Sequence, residues 1–167
     1  MPTLTRLGAA VVGLGMLLAC TPDGPRVTDG GRGTVVHVVD GDTVIVDLGG
    51  AEESVRLLGI DTPEVARPDQ TEECFGPEAS ARTRVLLPVG TDVRLERDRE
   101  ARDRFGRLLA YVYRAEDDLF VNEALVAEGS ADTLSIEPNT AYRRELSAAR
   151  AAARASRSRS RRTSVPT

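Results

Sequence analysis

Three short stretches rich in β-branched residues lie between residues 34 and 60, and they constrain the fold most. The first two, residues 34–39 and 43–48, are separated by Asp40-Gly41-Asp42. Apolar, β-branched runs joined by such a turn are typical of a β-hairpin. Residues 53–60 predict a third strand, so the domain starts with a β-meander.

Helices and two further strands are predicted after this meander. Residues 77–87 open with a proline and predict a helix, and residues 91–96 and 107–113 predict strands four and five. Residues 119–128 predict a second helix stopped by Gly129, and a third starts near Asn139, with Asn139 or Thr140 as its cap. The order β-β-β-α-β-β-α-α predicts an α+β fold that is mainly β, an OB-fold five-stranded barrel with three helices.

The amino-terminal segment has the features of an export signal. Arg6 precedes an apolar run that is too short to cross a bilayer as a helix and ends in Leu17-Leu18-Ala19-Cys20. This ending resembles a bacterial lipobox, which implies a lipoprotein signal peptide at 1–19 and a lipid anchor at Cys20. Two alternatives remain open: an ordinary signal peptide with Cys20 incidental, or a disulfide between Cys20 and Cys74 if lipidation fails.

Local composition divides the rest of the chain into three segments. Residues 20–32 are predicted to be a flexible tether, 33–154 the folded domain, and 155–167 a disordered Arg/Ser-rich tail. Residues 21–149 contain 15 arginines and 26 acids, a net charge of −11, and six arginines follow without an acid. The basic tail is either a nucleic-acid or lipid contact or a solvated terminus.

One histidine, two cysteines and no lysine exclude a Cys/His zinc site and a P-loop.

Acids and arginines concentrate beside glycine and proline in three stretches: residues 39–43, 56–64 and 103–107. Each has an ordinary structural explanation, such as a hairpin turn or a loop cap. Strand alternation also places Arg56 and Asp61 on opposite faces unless the strand bends, for which Gly59 is the candidate. Spacing alone therefore leaves it open whether these side chains meet.

Taken together, the stretches resemble one family. Asp42, Arg56, Asp61-Thr62-Pro63-Glu64 and Gly106-Arg107 occur in the order and spacing of the staphylococcal nuclease (thermonuclease) family. Residues 76–81, 106–113 and 121–126 also fit that family, so the resemblance covers essentially the whole domain.

This resemblance implies an OB-fold, calcium-dependent phosphodiesterase that cuts DNA and RNA and leaves 3′-phosphates. It implies that Asp42 and Asp61 bind Ca²⁺ through carboxylates and Thr62 through its backbone carbonyl. Glu64 would be the general base on the attacking water, and Arg56 and Arg107 would clamp the phosphate. Guanidinium groups and a hard cation suit the negative charge that develops on phosphate oxygens.

The sequence departs from the family at its nucleotide pocket, where the family uses tyrosines. The matching positions here are Phe105, Leu134 and Ile136. Because base stacking on an aromatic ring contributes about 1–3 kcal/mol per base, we expect weaker nucleotide binding.

The sequence thus predicts an exported, monomeric nuclease without a protein partner, anchored through Cys20 at the cell surface or the periplasmic face of a bacterial membrane. Two other functions are consistent with an OB-type domain. One is a non-catalytic lipoprotein that binds nucleic acid or a protein partner, and the other is a calcium-binding envelope lipoprotein whose barrel is a scaffold.

Overall fold

The computed structural model describes residues 27–63 and 75–163. The predicted signal peptide at 1–19, Cys20, Glu64 and Cys74 lie outside these residues. The chain runs through β1 (Thr28–Val38), β2 (Thr43–Asp47), β3 (Glu52–Leu57), β4 (Ile60–Asp61), α1 (Gly76–Leu86), β5 (Asp92–Arg97), β6 (Leu108–Arg114), β7 (Leu119–Phe120), α2 (Val121–Glu128), β8 (Asp132–Thr133) and α3 (Arg143–Thr163).

Five of these strands close into a barrel. Their order is β3-β2-β1-β5-β6, and β6 returns to pair with β3. All neighbours are antiparallel except β3 and β6, which are parallel with Arg56 beside Leu109. The predicted five-stranded OB-type barrel with three helices is therefore confirmed.

The barrel interior is filled by the inward-facing residues of the five strands. Val44, Val46, Val55, Val93, Leu95 and Val112 are fully buried. Leu125 of α2 and Leu146 of α3 belong to the same cluster, so both helices pack on the core of the barrel. A second cluster, of aromatic rings, brings Tyr111, Tyr113, Phe120 and Tyr142 together at centroid distances of 4.6–6.1 Å.

Helix signals in the sequence locate α1 and α2 well. Pro77 lies in the first turn of α1, and Gly129 ends α2 in the left-handed conformation with φ of 75°. The start of α3 differs from the prediction, since the helix begins at Arg143 rather than near residue 139. Asn139 does not cap it, because its side-chain amide binds the backbone of Glu100 in both directions, at 2.9 and 3.2 Å.

Both predicted ends of the domain also differ from the structure. Residues 28–32 form part of β1 rather than a tether, since β5 pairs with them from Thr28 onward. Their glycines resemble a linker, but the segment pairs with a neighbouring strand, with a register shift between Asp29 and Gly31. Helix α3 continues to Thr163, into the segment predicted to be disordered, because alanine and arginine favour helix once packing on α2 has started it. None of the described helices is long and apolar enough to cross a bilayer.

One buried side chain ties α2 to the barrel close to the end of β3. Asn122 is fully buried, accepts a hydrogen bond from the backbone N–H of Val112 at 2.9 Å, and donates one to the carbonyl of Leu58 at 2.8 Å. Both backbone groups would lack partners without it.

We expect Asn122→Ala to lower the free energy of unfolding by about 2–4 kcal/mol, since two buried backbone groups lose their partners. Chemical denaturation followed by circular dichroism measures this. Glu123→Ala, on the exposed side of the same helix, is the control and should change it by less than about 0.5 kcal/mol. Equal values for the two variants would contradict this role for Asn122.

Candidate active site

The first hairpin turn and the end of β3 bring three of the predicted acidic and basic residues together. Backbone hydrogen bonding fixes this junction: the N–H of Leu57 donates to the carbonyl of Asp42 at 2.8 Å. After Leu57 the chain turns through Leu58 and Gly59, and Gly59 has a φ of +77°. A Cβ at Gly59 would also collide with the side chain of Leu146, so both conformation and space require glycine here.

The turn at Gly59 resolves the strand-alternation problem. It redirects the chain so that Asp61, on β4, reaches the same guanidinium as Asp42. Arg56 Nε lies 3.1 Å from Asp42 Oδ1, and Arg56 Nη2 lies 3.0 Å from Asp61 Oδ1. The structure thus brings Asp42, Arg56 and Asp61 into one cluster.

Asp42 is the buried member of the cluster. Its side chain is 6% exposed, whereas that of Asp61 is 56% exposed. Asp42 Oδ2 accepts hydrogen bonds from the backbone N–H of Thr62 at 2.9 Å and from Thr62 Oγ1 at 3.0 Å. Thr62 therefore acts on this cluster through two donors that fix the orientation of the Asp42 carboxylate.

Burial raises the pKa of Asp42 to about 6, and the nearby carboxylate of Asp40 adds to this rise. The guanidinium of Arg56 and the hydrogen bonds from Thr62 act in the opposite direction without cancelling it. The ionised carboxylate is thus short of positive charge even with Arg56 beside it. A further cation close to Asp42 would relieve that deficit.

The donor chemistry fits a hard divalent cation. Asp42 and Asp61 offer carboxylate oxygens, and the chain at Thr62 offers a backbone carbonyl, which are the ligand types that Ca²⁺ prefers. Within residues 27–63 and 75–163 no three His, Cys, Asp or Glu side chains form a metal-binding group by themselves. A cation here would therefore rely on two carboxylates together with backbone and water oxygens.

The two predicted phosphate-binding arginines differ in how much of each guanidinium is in use. Arg56 gives Nε to Asp42, both Nη1 protons to the carbonyls of Leu57 and Ile60 at 2.8 and 3.0 Å, and one Nη2 proton to Asp61. An arginine has five N–H donors, so one has no partner among the described residues. Arg56 is mainly an organiser of the cluster.

Arg107 has more donors available. Asp103 binds its Nε at 2.7 Å and its backbone N–H at 3.0 Å, and Arg107 Nη1 and Nη2 have no hydrogen-bond partner among the described residues. Burial alone would raise the pKa of Asp103, but these bonds from Arg107 hold it below its usual value. Asp103 is thus a fixed anion that orients the guanidinium.

Pairing of β3 with β6 indicates where Arg107 lies relative to the cluster. Leu109 is the partner of Arg56, and Arg107 precedes it by two residues. With about 4.8 Å between strands and about 3.3 Å per residue, the backbones of Arg56 and Arg107 are about 8 Å apart. No direct contact joins Arg107 to Asp42 or Asp61 in the described part of the chain, but a phosphate group can bridge such a gap between long side chains.

The predicted nucleotide-pocket residues are exposed on two loops. Phe105 is 68% exposed with Arg104 and Arg107 against its ring, at 4.7 and 5.5 Å from the centroid. Leu134 and Ile136 are 36% and 63% exposed on the loop before α3. The Asn139 amide, bound to Glu100, ties this loop to the one that carries Phe105.

Several residues that support the site were not singled out from the sequence. Asp40 is buried and accepts the backbone N–H of Asp42 at 3.1 Å, and Thr83 of α1 donates to the carbonyl of Gly41 at 2.7 Å. A Cβ at Gly41 would come within 2.5 Å of Thr62 Oγ1, so glycine lets Thr62 approach. A polar residue on the buried face of α1, beside Ala79 and Leu86, was the available signal for Thr83.

The family of staphylococcal nuclease homologues matches residues 54–159 of the chain. The chain is 40% identical over 112 residues to the thermonuclease of Staphylococcus hyicus, which covers 67% of this chain and 64% of that protein. It is 45% identical over 109 residues to the thermonuclease of Staphylococcus intermedius, covering 65% and 63%.

Endonuclease YncB of Bacillus subtilis is 41% identical over 111 residues, which is 65% of this chain and 51% of that protein. The chain thus spans between half and just under two thirds of the length of these relatives. The family match takes in β3, with Arg56, and the residues that follow up to the last turns of α3. The chain therefore belongs to the family of staphylococcal nuclease homologues.

Proposed function

We propose that this protein is a calcium-dependent nuclease that hydrolyses phosphodiester bonds of DNA, RNA or both, leaving 3′-phosphate products. The Asp42–Arg56–Asp61 cluster is the observation that carries this proposal. Two carboxylates share one guanidinium at the rim of an OB-type barrel, and the buried one is short of positive charge. The names of the thermonuclease and endonuclease relatives support the same activity.

Asp42, Asp61 and the backbone carbonyl of Thr62 would hold the Ca²⁺. Bound there, the cation would neutralise phosphate oxygens and favour ionisation of a water molecule. Thr62 and Arg56 hold the Asp42 carboxylate in place for this, through the contacts described above. The role of Glu64 as the base and that of the Thr62 carbonyl as a calcium ligand rest on the family resemblance.

The protein side of the reaction needs a base and a phosphate clamp. Glu64 takes the proton of the attacking water, which adds to phosphorus as the bond to the 5′-oxygen breaks. Arg107, whose two terminal nitrogens have no partner among the described residues, donates hydrogen bonds to the phosphate oxygens as their charge grows. Arg56, with most of its donors engaged by described residues, chiefly keeps Asp42 and Asp61 together.

We propose in addition that the chain is an exported bacterial lipoprotein anchored by Cys20 and active as a monomer. The Leu17-Leu18-Ala19-Cys20 sequence supports the anchor, and two or three acyl chains would hold it, since each buried CH₂ contributes about 0.8 kcal/mol.

Cleavage should require both Ca²⁺ and the Glu64 carboxylate. We expect single-stranded DNA to be cut in Ca²⁺ and to stay intact in chelator, and Glu64→Gln to lower the rate by about 10²-fold or more because the base is lost. Gel electrophoresis of a labelled oligonucleotide measures this. Glu116→Gln, on the exposed turn before β7, is the matched control with full activity. If DNA is bound but never cut, the result favours the alternative of a non-catalytic lipoprotein that binds nucleic acid. If Ca²⁺ stabilises the fold but no DNA is cut, it favours the calcium-binding lipoprotein whose barrel is a scaffold.

Substituting the two arginines should separate their roles. Arg107→Ala should keep its stability and lower the cleavage rate by about 10²–10³-fold, as loss of a transition-state donor does. Arg56→Ala should also lower the free energy of unfolding by about 3 kcal/mol or more, because Asp42 is left buried without its guanidinium. We compare denaturation curves and cleavage rates of both variants. Arg84→Ala, at an exposed position of α1, is the control. Equal stabilities for Arg56→Ala and Arg107→Ala would refute this division of roles.

Membrane anchoring should depend on Cys20. Expressed in a bacterium, the full chain should partition into detergent, and Cys20→Ala should move it to the aqueous phase because no acyl chain is attached. Cys74→Ala is the matched cysteine control and should stay in detergent. Unchanged partition of Cys20→Ala would rule out the lipid anchor.

A further inference from the structure

The second half of α3 carries a row of arginines on an otherwise acidic protein. Six arginines and no acid follow residue 149, whereas residues 21–149 have a net charge of −11. Arg150, Arg154 and Arg157 follow the spacing i, i+4, i+7 and therefore share one face of the helix. These three residues are called the α3 arginine row below.

The row begins beside the candidate active site. Arg150 and Arg154 both approach the carboxylate of Asp132, Arg154 Nη2 at 3.7 Å from Asp132 Oδ2. Asp132 lies on β8 directly opposite Asp61 of β4. The row, Asp61 and Thr62 line the same open cavity of about 730 Å³, so a ligand can reach from the carboxylates to the helix.

Two arginines of the row are exposed enough to bind a ligand in addition to their contacts within the protein. The side chain of Arg154 is 67% exposed, and its one described contact is the long approach to Asp132. Arg157 is exposed, and in the described part of the chain only its Nη2 is used, donating to the carbonyls of Glu128 and Gly129 at 3.0 and 3.1 Å. At 1.5 Å per residue, the row extends about 10 Å along the helix, which matches two to three phosphates of a nucleic-acid strand.

The composition of α3 favours a polyanion in water over a lipid surface. A helix that lies in a membrane interface presents bulky apolar residues on one face. The apolar side of α3 is used against the protein core through Leu146, and from there to Thr163 the only apolar residues are alanines. The helix thus offers charge without an apolar anchor.

We propose that the α3 arginine row binds the phosphate backbone of the same strand that occupies the candidate active site, and so extends substrate binding beyond the bond that is cut. This inference rests on the proposed function, since that function brings a nucleic-acid strand to Asp42 and Asp61. Row and active site together then form one track, with the carboxylates at one end.

The test is the salt dependence of binding without cleavage. In a Glu64→Gln background and in chelator, a fluorescent oligothymidylate of about 20 nucleotides is titrated with the full chain at several salt concentrations. We compare Arg154→Gln/Arg157→Gln with Arg84→Gln/Arg144→Gln, which removes the same charge from exposed positions outside the row. The salt slope is the slope of the logarithm of the binding constant against the logarithm of the salt concentration. Two lost phosphate contacts should reduce its magnitude by about 1.4. Between 50 and 200 mM salt, the factor by which the affinity of the row variant falls should therefore be about sevenfold smaller than that of the control.

Each outcome decides the inference. A smaller slope in the row variant alone supports it, and equal slopes in the row and control variants overturn it, because a merely structural change leaves the slope intact. Loss of binding to anionic phosphatidylserine vesicles with an unchanged DNA slope would overturn it in favour of a lipid contact. If circular dichroism shows that the double variant is unfolded, Arg154→Gln alone should reduce the slope by about 0.7. If the row variant has the smaller slope but the protein with Glu64 never cuts DNA in Ca²⁺, the proposed nuclease activity is disproved. The inference that the row binds the phosphate backbone then still holds.

Discussion

The buried carboxylate of Asp42 joins the barrel to its site. Its backbone carbonyl accepts the N–H of Leu57, which fixes the first hairpin turn to the end of β3. Its side chain is held by Arg56 and Thr62, which come from that strand end and from the segment after the Gly59 turn. A carboxylate in this position is costly to ionise, and that cost makes the rim of the barrel a place where a cation is stabilising.

Two helices support the backbone around this carboxylate. Thr83 of α1 binds the carbonyl of Gly41, and Asn122 of α2 binds the carbonyl of Leu58 just before the turn. The two helices therefore fix the two backbone segments that have to meet at Asp42. Both side chains are buried and hydrogen bonded to these backbone groups, so they help to specify one arrangement of the rim.

The charges of this protein are distributed unevenly along the chain, which the net charge does not show. The net charge of −4 combines an acidic domain with an arginine-rich end, and the structure places the start of that end next to Asp61. Among the arginines near the site, Arg56 is committed to the protein, while Arg107 and Arg154 keep donors or exposure for a ligand. Asn139 adds a further link by joining the loop of Phe105 to that of Leu134 and Ile136.

The sequence by itself determined the order of the five barrel strands and three helices, because periodicity and turn residues are local properties of a chain. It did not predict the short strands β4, β7 and β8. Motif order likewise identified Asp42, Arg56, Asp61 and Arg107 as candidates. The sequence misjudged residues 28–32, 139 and 155–163, where the decisive partners, β5, Glu100 and α2, are distant in sequence. Only the tertiary structure decided that Arg56 and Asp61 meet and that α3 reaches the site. It also decided that most N–H donors of Arg56 are engaged by the described residues, whereas Nη1 and Nη2 of Arg107 have no hydrogen-bond partner there. Hydrogen bonding, burial and ion pairing between distant segments depend on where the folded chain brings them, and strand alternation alone would have kept Arg56 and Asp61 apart.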